Sequence, residues 1–212
     1  LRTVDFLEDA IEIHGGDDFE CQHARQAAKL ALKLFDKMQP LHKMGNTERI
    51  WLRIASLLHD IGKSANSEFH HKASQDIIIR HAALPFRKRI RKIIGLIARY
   101  HKGATPKDTH KYYRRLNEED KRCVMILAGM LRMADGLDAG HKGLVTDLAC
   151  QARGRKLIVY LVGKEGIDVD KAVRKADLLG QAFDCEVEVR TVAKVIGKNL
   201  DFSRLCVYTQ AA

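Results

Sequence analysis

The chain has 212 residues, 37 Lys+Arg against 27 Asp+Glu, a formal charge of +10, 46% apolar residues and only 3 Pro. That length accommodates one domain or one domain plus an appendage, and the composition excludes a disordered, collagenous or linker-dominated chain. The longest uninterrupted apolar stretch, residues 123–131, is far shorter than the ~20 residues a membrane-crossing helix needs.

Cysteines at 21, 123, 150, 185 and 206 form no C-x-x-C pair, so neither a disulfide framework nor a thiolate zinc site is predicted. A reducing cytoplasm is the expected location, with no membrane as partner. No basic, apolar leader opens the chain, and Leu1 in place of Met raises the expectation of a removed upstream segment. The positive charge favours polyanions in general without choosing among nucleotides, polyphosphate and nucleic acid.

In chain order, Val4, Leu7 and Ile11 keep helical spacing until Gly15-Gly16. Asp17 and Glu20 make a capping-box pair for a second helix that runs to about Met38 and contains His23. From Thr47 the apolar face of Trp51, Leu52, Ala55 and Leu58 leads directly into His59-Asp60, and Ile61-Gly62 stops the helix. Two further helices are predicted over residues 70–82 and 86–101, separated by Pro85, with Ile90, Ile93, Ile94 and Ile97 as the buried stripe of the second. Asn117 and Asp120 open another helix with Val124, Leu127, Leu131 and Ala134 on its core face.

Beyond residue 150 the period changes. An apolar run at 157–162, helical spacing of Ala172, Ala176, Leu179 and Phe183, and alternating valines at 185–192 read as a strand–helix–strand unit. The expected fold is therefore mainly α, a helical bundle over residues 1–150 with a small C-terminal β-α-β subdomain over 151–192. Residues 193–212 form a tail with one strand near 205–208 or no regular structure.

Several of the ten histidines fall at helix ends beside carboxylates: His23, His59-Asp60, His70 or His71, and His101, with Asp135 inside an apolar helix. Adjacent residues on a helix differ in direction by ~100°, so His59 and Asp60 both reach one ion most readily where the helix is ending. Imidazole nitrogen with carboxylate oxygen suits Mn, Fe, Co, Ni or Zn better than an all-oxygen cage for Mg or Ca. For Asp135 the alternative to a ligand is a buried carboxylate held by an Arg or a backbone donor, the weaker reading because burying a charge without a partner costs several kcal/mol. His14, His42 and His110 read as ordinary hydrogen-bonded histidines.

The order His23, His59-Asp60, Asp135 resembles the metal-binding pattern of the HD superfamily of metal-dependent phosphohydrolases. The strings HARQAAKLALKLFD (23–36), LLHDIGK (57–63), HHKAS (70–74), ARYHK (98–102), LRMADGLDAGH (131–141) and KADLLGQAF (175–183) are similar to the carboxy-terminal HD module of the exopolyphosphatase/guanosine pentaphosphate phosphohydrolase family. In that family the polyphosphate-cleaving site belongs to an amino-terminal pair of actin-like ATPase-fold domains with glycine-rich phosphate loops. This chain has no G-x-G-x-x-G or Walker A segment, so that activity does not transfer with the resemblance.

The resemblance implies an HD-domain bundle with one or two divalent ions (Mn, Fe, Co, Ni, Zn or Mg). His23, His59, Asp60 and Asp135 would hold the first, and Asp60 would bridge to a second held by His70 and His101. Such ions activate water and stabilise in-line displacement at phosphorus. Asp60 and Lys63 are the expected catalytic residues, with Lys63, His71, Lys72 and Arg132 as substrate-phosphate contacts. The expected partner is a phosphate-containing small molecule, a nucleotide, guanosine polyphosphate or polyphosphate, rather than nucleic acid, with a homodimer compatible. The other functional class is a non-catalytic regulatory, dimerising or polyphosphate-gripping module. The run Arg87, Lys88, Arg89, Arg91, Lys92 reads as a solvated helix face or a polyanion guide.

Overall fold

The computed structural model of the chain describes residues 18–81 and 84–192. The expected first helix, its Gly15-Gly16 stop, the Asp17–Glu20 cap and the strand near 205–208 lie outside the described residues. Among them are seven α-helices, one short 3-10 turn and three strands. None of the helices is long and apolar enough to cross a membrane.

Helix α1 spans Asp18–His42 and buries Ala27, Leu30, Ala31, Leu34 and Met38, the 3/4 spacing of one core-facing stripe. It runs four residues past the expected end at Met38, with Pro40 and His42 in the last turn. The His42 ring donates from Nε2 to the Phe35 carbonyl and accepts the Met44 amide at Nδ1, each at 2.9 Å. Helix α2, Asn46–Leu58, starts where the Glu48 carboxylate accepts the Gly45 N–H at 2.9 Å. It delivers His59 and Asp60 into the turn that follows.

Helices α3 (His70–Arg80) and α4 (Lys88–Arg99) pack against each other, and Tyr112 leads into the 3-10 turn Tyr113–Arg115. Helix α5, Glu118–Leu137, starts at Asn117, whose side chain accepts the Asp120 amide at 2.8 Å. It is buried nearly end to end and touches α1, α2 and α4, so it is the hub of the bundle.

The carboxy-terminal part departs from a simple strand–helix–strand. Strand β1 (Val145–Arg153) precedes the expected pair and pairs antiparallel with β2 (Lys156–Gly163) across the two-residue turn Gly154–Arg155, where Gly154 has φ +55°. Strand β3 (Glu186–Thr191) joins β2 in parallel, so β2 is central. The expected single helix is two, α6 (Val169–Arg174) and α7 (Asp177–Phe183), broken at Lys175–Ala176.

The boundary expected at residue 150 falls inside β1. That strand packs on α1, with Gln26 donating to the Val145 carbonyl at 2.6 Å, and α6 and α7 cover α5. Leu34, Ile94, Leu127, Leu148, Val159 and Leu179 belong to one buried cluster, so helices and sheet share a core.

Candidate metal centre

Helices α2, α4 and α5 end at one place and α3 begins there. His59 follows α2, His101 lies two residues beyond α4, Asp135 is in the last turn of α5, and His70 is the first residue of α3. Three helix C-termini present the negative ends of their dipoles, which favours a cation. His23 reaches the same spot from the second turn of α1. These five residues and Asp60, next after His59, are all buried to within 9% exposure.

The contacts divide around Asp60. Its Oδ2 lies 3.3 Å from His59 Nε2 and 2.7 Å from Lys63 Nζ, while its Oδ1 lies 3.3 Å from His70 Nε2 and 3.5 Å from His101 Nε2. His23, His59 and Asp60 form one triad whose donor atoms all lie within 4.8 Å of one another, and Asp60, His70 and His101 form another. Asp135 Oδ1 joins the first at 3.1 Å from His23 Nε2 and 3.8 Å from His59 Nε2. Donors bound at ~2.0–2.2 Å to a common ion stand roughly 3.0–3.6 Å apart, so these spacings suit shared ions.

The orientation of the imidazoles is set from outside the site. Nδ1 of His59, His70 and His101 faces the carbonyl oxygens of Ser56, Ser67 and Ala98 at 2.7, 2.9 and 2.6 Å, and Nδ1 of His23 faces Asp138 Oδ2 at 2.9 Å. A carbonyl or carboxylate oxygen can only accept, so Nδ1 donates in each case and Nε2 is the nitrogen turned toward the site. His59 Nε2 and Asp60 Oδ1 are buried and make no hydrogen bond among the described residues. Two bare acceptors of that kind are costly unless a cation completes them, so the donor set fits a divalent ion of the Mn-to-Zn series.

Electrostatics agree with that description. Burial alone would push the Asp60 carboxyl up, but the imidazoles of His59 and His101 and the Lys63 ammonium hold it well below the ordinary carboxylate range. Burial, with His59 nearby, keeps His101 well below the usual histidine value, and burial with Arg99 beside it takes His71 down to about 4. Lys175 is pushed down to about 8 by burial and by Arg132.

The residues expected to grip phosphate are dispersed. Of the adjacent pair, His70 stands beside Asp60, while His71 is turned away with its ring centroid 6.0 Å from that of His70. Lys72 is exposed and lies over the Phe69 ring at 4.7 Å. Arg132 donates in a fork to Asp177 at 2.7 and 3.0 Å and to the carbonyls of Gly103 and Tyr100 at 2.9 and 3.3 Å, so its guanidinium is used as a strap. Lys63 is paired with Asp60.

Three residues at the site carried no sequence expectation. Asp138, one turn after Asp135, holds His23 and accepts the Gly143 amide at 2.8 Å; its i+3 spacing was the available signal. His141, at φ +53°, stacks on His23 with centroids 3.8 Å apart. Lys175 bonds Asp135 Oδ2; it opens the family-like string at 175–183, but nothing there marks it as a site residue.

No curated protein matches the chain. The family model described as "Ppx/GppA phosphatase, domain III" matches residues 13–181, a span that includes α1 through α6, all six residues of the centre and both lysines beside it. The chain belongs to the Ppx/GppA phosphatase family, as a representative of its domain III.

Proposed function

We propose that this chain is an HD-type metal-dependent phosphohydrolase that cleaves a phosphate ester or anhydride of a nucleotide, guanosine polyphosphate or polyphosphate. The observation that carries the reading is the sharing of Asp60 by two buried triads, with His59 Nε2 and Asp60 Oδ1 left without hydrogen bonds among the described residues. A purely structural carboxylate would not leave its Oδ1 without a hydrogen bond between two imidazoles. Family membership supports phosphate chemistry.

In this reading His23, His59, Asp60 and Asp135 hold one divalent ion, and Asp60, His70 and His101 a second. Bound ions would supply Lewis-acid stabilisation of phosphoryl oxygens and a water nucleophile at neutral pH. The chain's own part is positional. Backbone carbonyls and Asp138 fix the four rings, Asp60 presents one oxygen to each side, and Lys63 supplies positive charge where an anionic substrate arrives.

A second reading has one observation in its favour: the family match is to a single domain of that family. On it, the chain is a regulatory, dimerising or polyphosphate-binding module. Elemental analysis of purified protein, combined with a phosphate-release screen over nucleotides and polyphosphate in Mn, Fe, Co, Ni, Zn or Mg, separates the two. The enzyme reading expects one or two ions per chain and metal-dependent release that Asp60→Ala abolishes with the helical spectrum preserved. Metal-filled protein that releases no phosphate from any of these overturns it.

A further inference from the structure

The strongest unassigned feature of the site comes from the sheet-containing end of the chain. Lys175 sits at the break between α6 and α7, and its ammonium bonds Asp135 Oδ2. The other oxygen of the same carboxylate faces His23 and His59 at 3.1 and 3.8 Å. The two oxygens of Asp135 are therefore divided, one toward the imidazoles and one toward the ammonium.

Lys63 is placed differently. It binds Asp60 Oδ2, the same oxygen that faces His59, so an ion using that oxygen competes with Lys63. Lys175 holds an oxygen that neither imidazole faces and can keep it when Oδ1 serves as a ligand. An ammonium has three donors, of which Asp135 takes one, and 22% of the Lys175 side chain is open to solvent.

Its position is built rather than incidental. A Cβ at Gly136 would come within 3.0 Å of Lys175 Cβ and 3.1 Å of its Cδ, so the missing side chain at 136 is what lets the lysine stem lie against α5. Two residues beyond Lys175, Asp177 receives the Arg132 fork, and Arg132 also donates to the carbonyls of Tyr100 and Gly103, which flank His101. The corner that carries Lys175 is thus tied to the turn that carries His101.

Building on the phosphohydrolase reading, we propose that Lys175 is a substrate-contacting residue. It uses the donors left by Asp135 to grip a non-bridging phosphoryl oxygen at the metal centre, so the α6–α7 corner forms one wall of the phosphate site. A charged hydrogen bond to phosphate at a partly buried position accounts for about ten- to hundredfold in affinity.

The test is calorimetric and uses the full chain. Mn2+ is titrated into metal-free wild type, Lys175→Met, Lys175→Gln and Lys175→Arg, and inorganic phosphate is titrated into the Mn-saturated forms. Lys175→Met and Lys175→Gln, the latter keeping an N–H for Asp135, should bind Mn2+ within about threefold of wild type or tighter and lose about tenfold or more in phosphate affinity. Lys175→Arg should retain phosphate binding. Unchanged phosphate affinity in the Met and Gln variants overturns the proposal, as does a parallel loss of Mn2+ affinity, which would make the lysine a prop for Asp135 alone. Wild type that takes up no Mn2+ overturns the metal reading as well, whereas uptake with phosphate binding indifferent to Lys175 overturns only this inference.

Discussion

Placing a methyl group on Gly62 would drive it into the backbone of α3. A Cβ there meets the His70 carbonyl oxygen and the Ser74 amide nitrogen at 2.5 Å and Ala73 Cβ at 2.7 Å, and the Gly62 N–H donates to Ser74 Oγ at 2.9 Å. Ordinary contact begins near 3.4 Å, so α3 must retreat by about 0.9 Å. His70 opens that helix, and the same retreat would stretch its 3.3 Å approach to Asp60 Oδ1 to about 4 Å, beyond the separation of two donors on one ion. Overpacking of this kind costs about 1–3 kcal/mol, which lowers the melting temperature by roughly 3–10 °C for a chain of this size. Gly62→Ala should therefore lose about ten- to hundredfold in affinity at the Asp60–His70–His101 triad, while the His23–His59–Asp135 side stays within about threefold. Scanning calorimetry and Mn2+ titration check both effects. A variant that melts within about 1 °C of wild type and binds two ions as tightly would refute the reasoning.

Two further perturbations act away from the centre. At Gly129 in α5 a Cβ would stand 2.9 Å from the Leu179 Cα and backbone nitrogen, so Gly129→Ala should lower the melting temperature and speed amide exchange in α7, although alanine is the better helix former by ~1 kcal/mol; a higher melting temperature would count against the close docking. His42 is held neutral, with burial pushing its pKa below 6.5 against the pull of the Phe35 carbonyl. The unfolded chain takes up that proton first, so the stability contributed by His42 is complete above about pH 6.5 and declines as pH falls through the folded-state value. The melting-temperature gap between wild type and His42→Gln should accordingly narrow from about pH 8 to about pH 5.5, and a constant gap would contradict the assignment.

That His23, His59, Asp60, His101 and Asp135 come together was legible because imidazoles and carboxylates beside helix ends or inside apolar helices leave marks in a single sequence. The choice between His70 and His71 was not, because adjacent residues at the start of a helix differ only in direction, which the packing of Gly62 against α3 decides. Strand β1 escaped notice because Thr146 and Asp147 interrupt its apolar alternation next to an irregularity in the register, and only its pairing with β2 makes it a strand. The break at Lys175–Ala176 contains neither Gly nor Pro, so helical spacing ran straight through it. Arg132 shares the helix that carries Asp135, yet its fork lies 45 residues away at Asp177, a distance that local pattern does not reach.

The outward nitrogens of His59 and His101 have a consequence for how this site would decay. Each ring donates to the carbonyl three residues earlier, in the last turn of α2 and of α4, where helix carbonyls otherwise lack a partner. Selection for folding alone would therefore preserve both histidines in a descendant whose site holds no ion. Asp60 offers its helix no such service: among the described residues its Oδ1 is buried without a hydrogen bond, and only its Oδ2 is paired, with the Lys63 ammonium. If the centre works as proposed, the aspartate should disappear first under drift and the histidines outlast it, so among relatives the second letter of the doublet, rather than the first, would report a working centre.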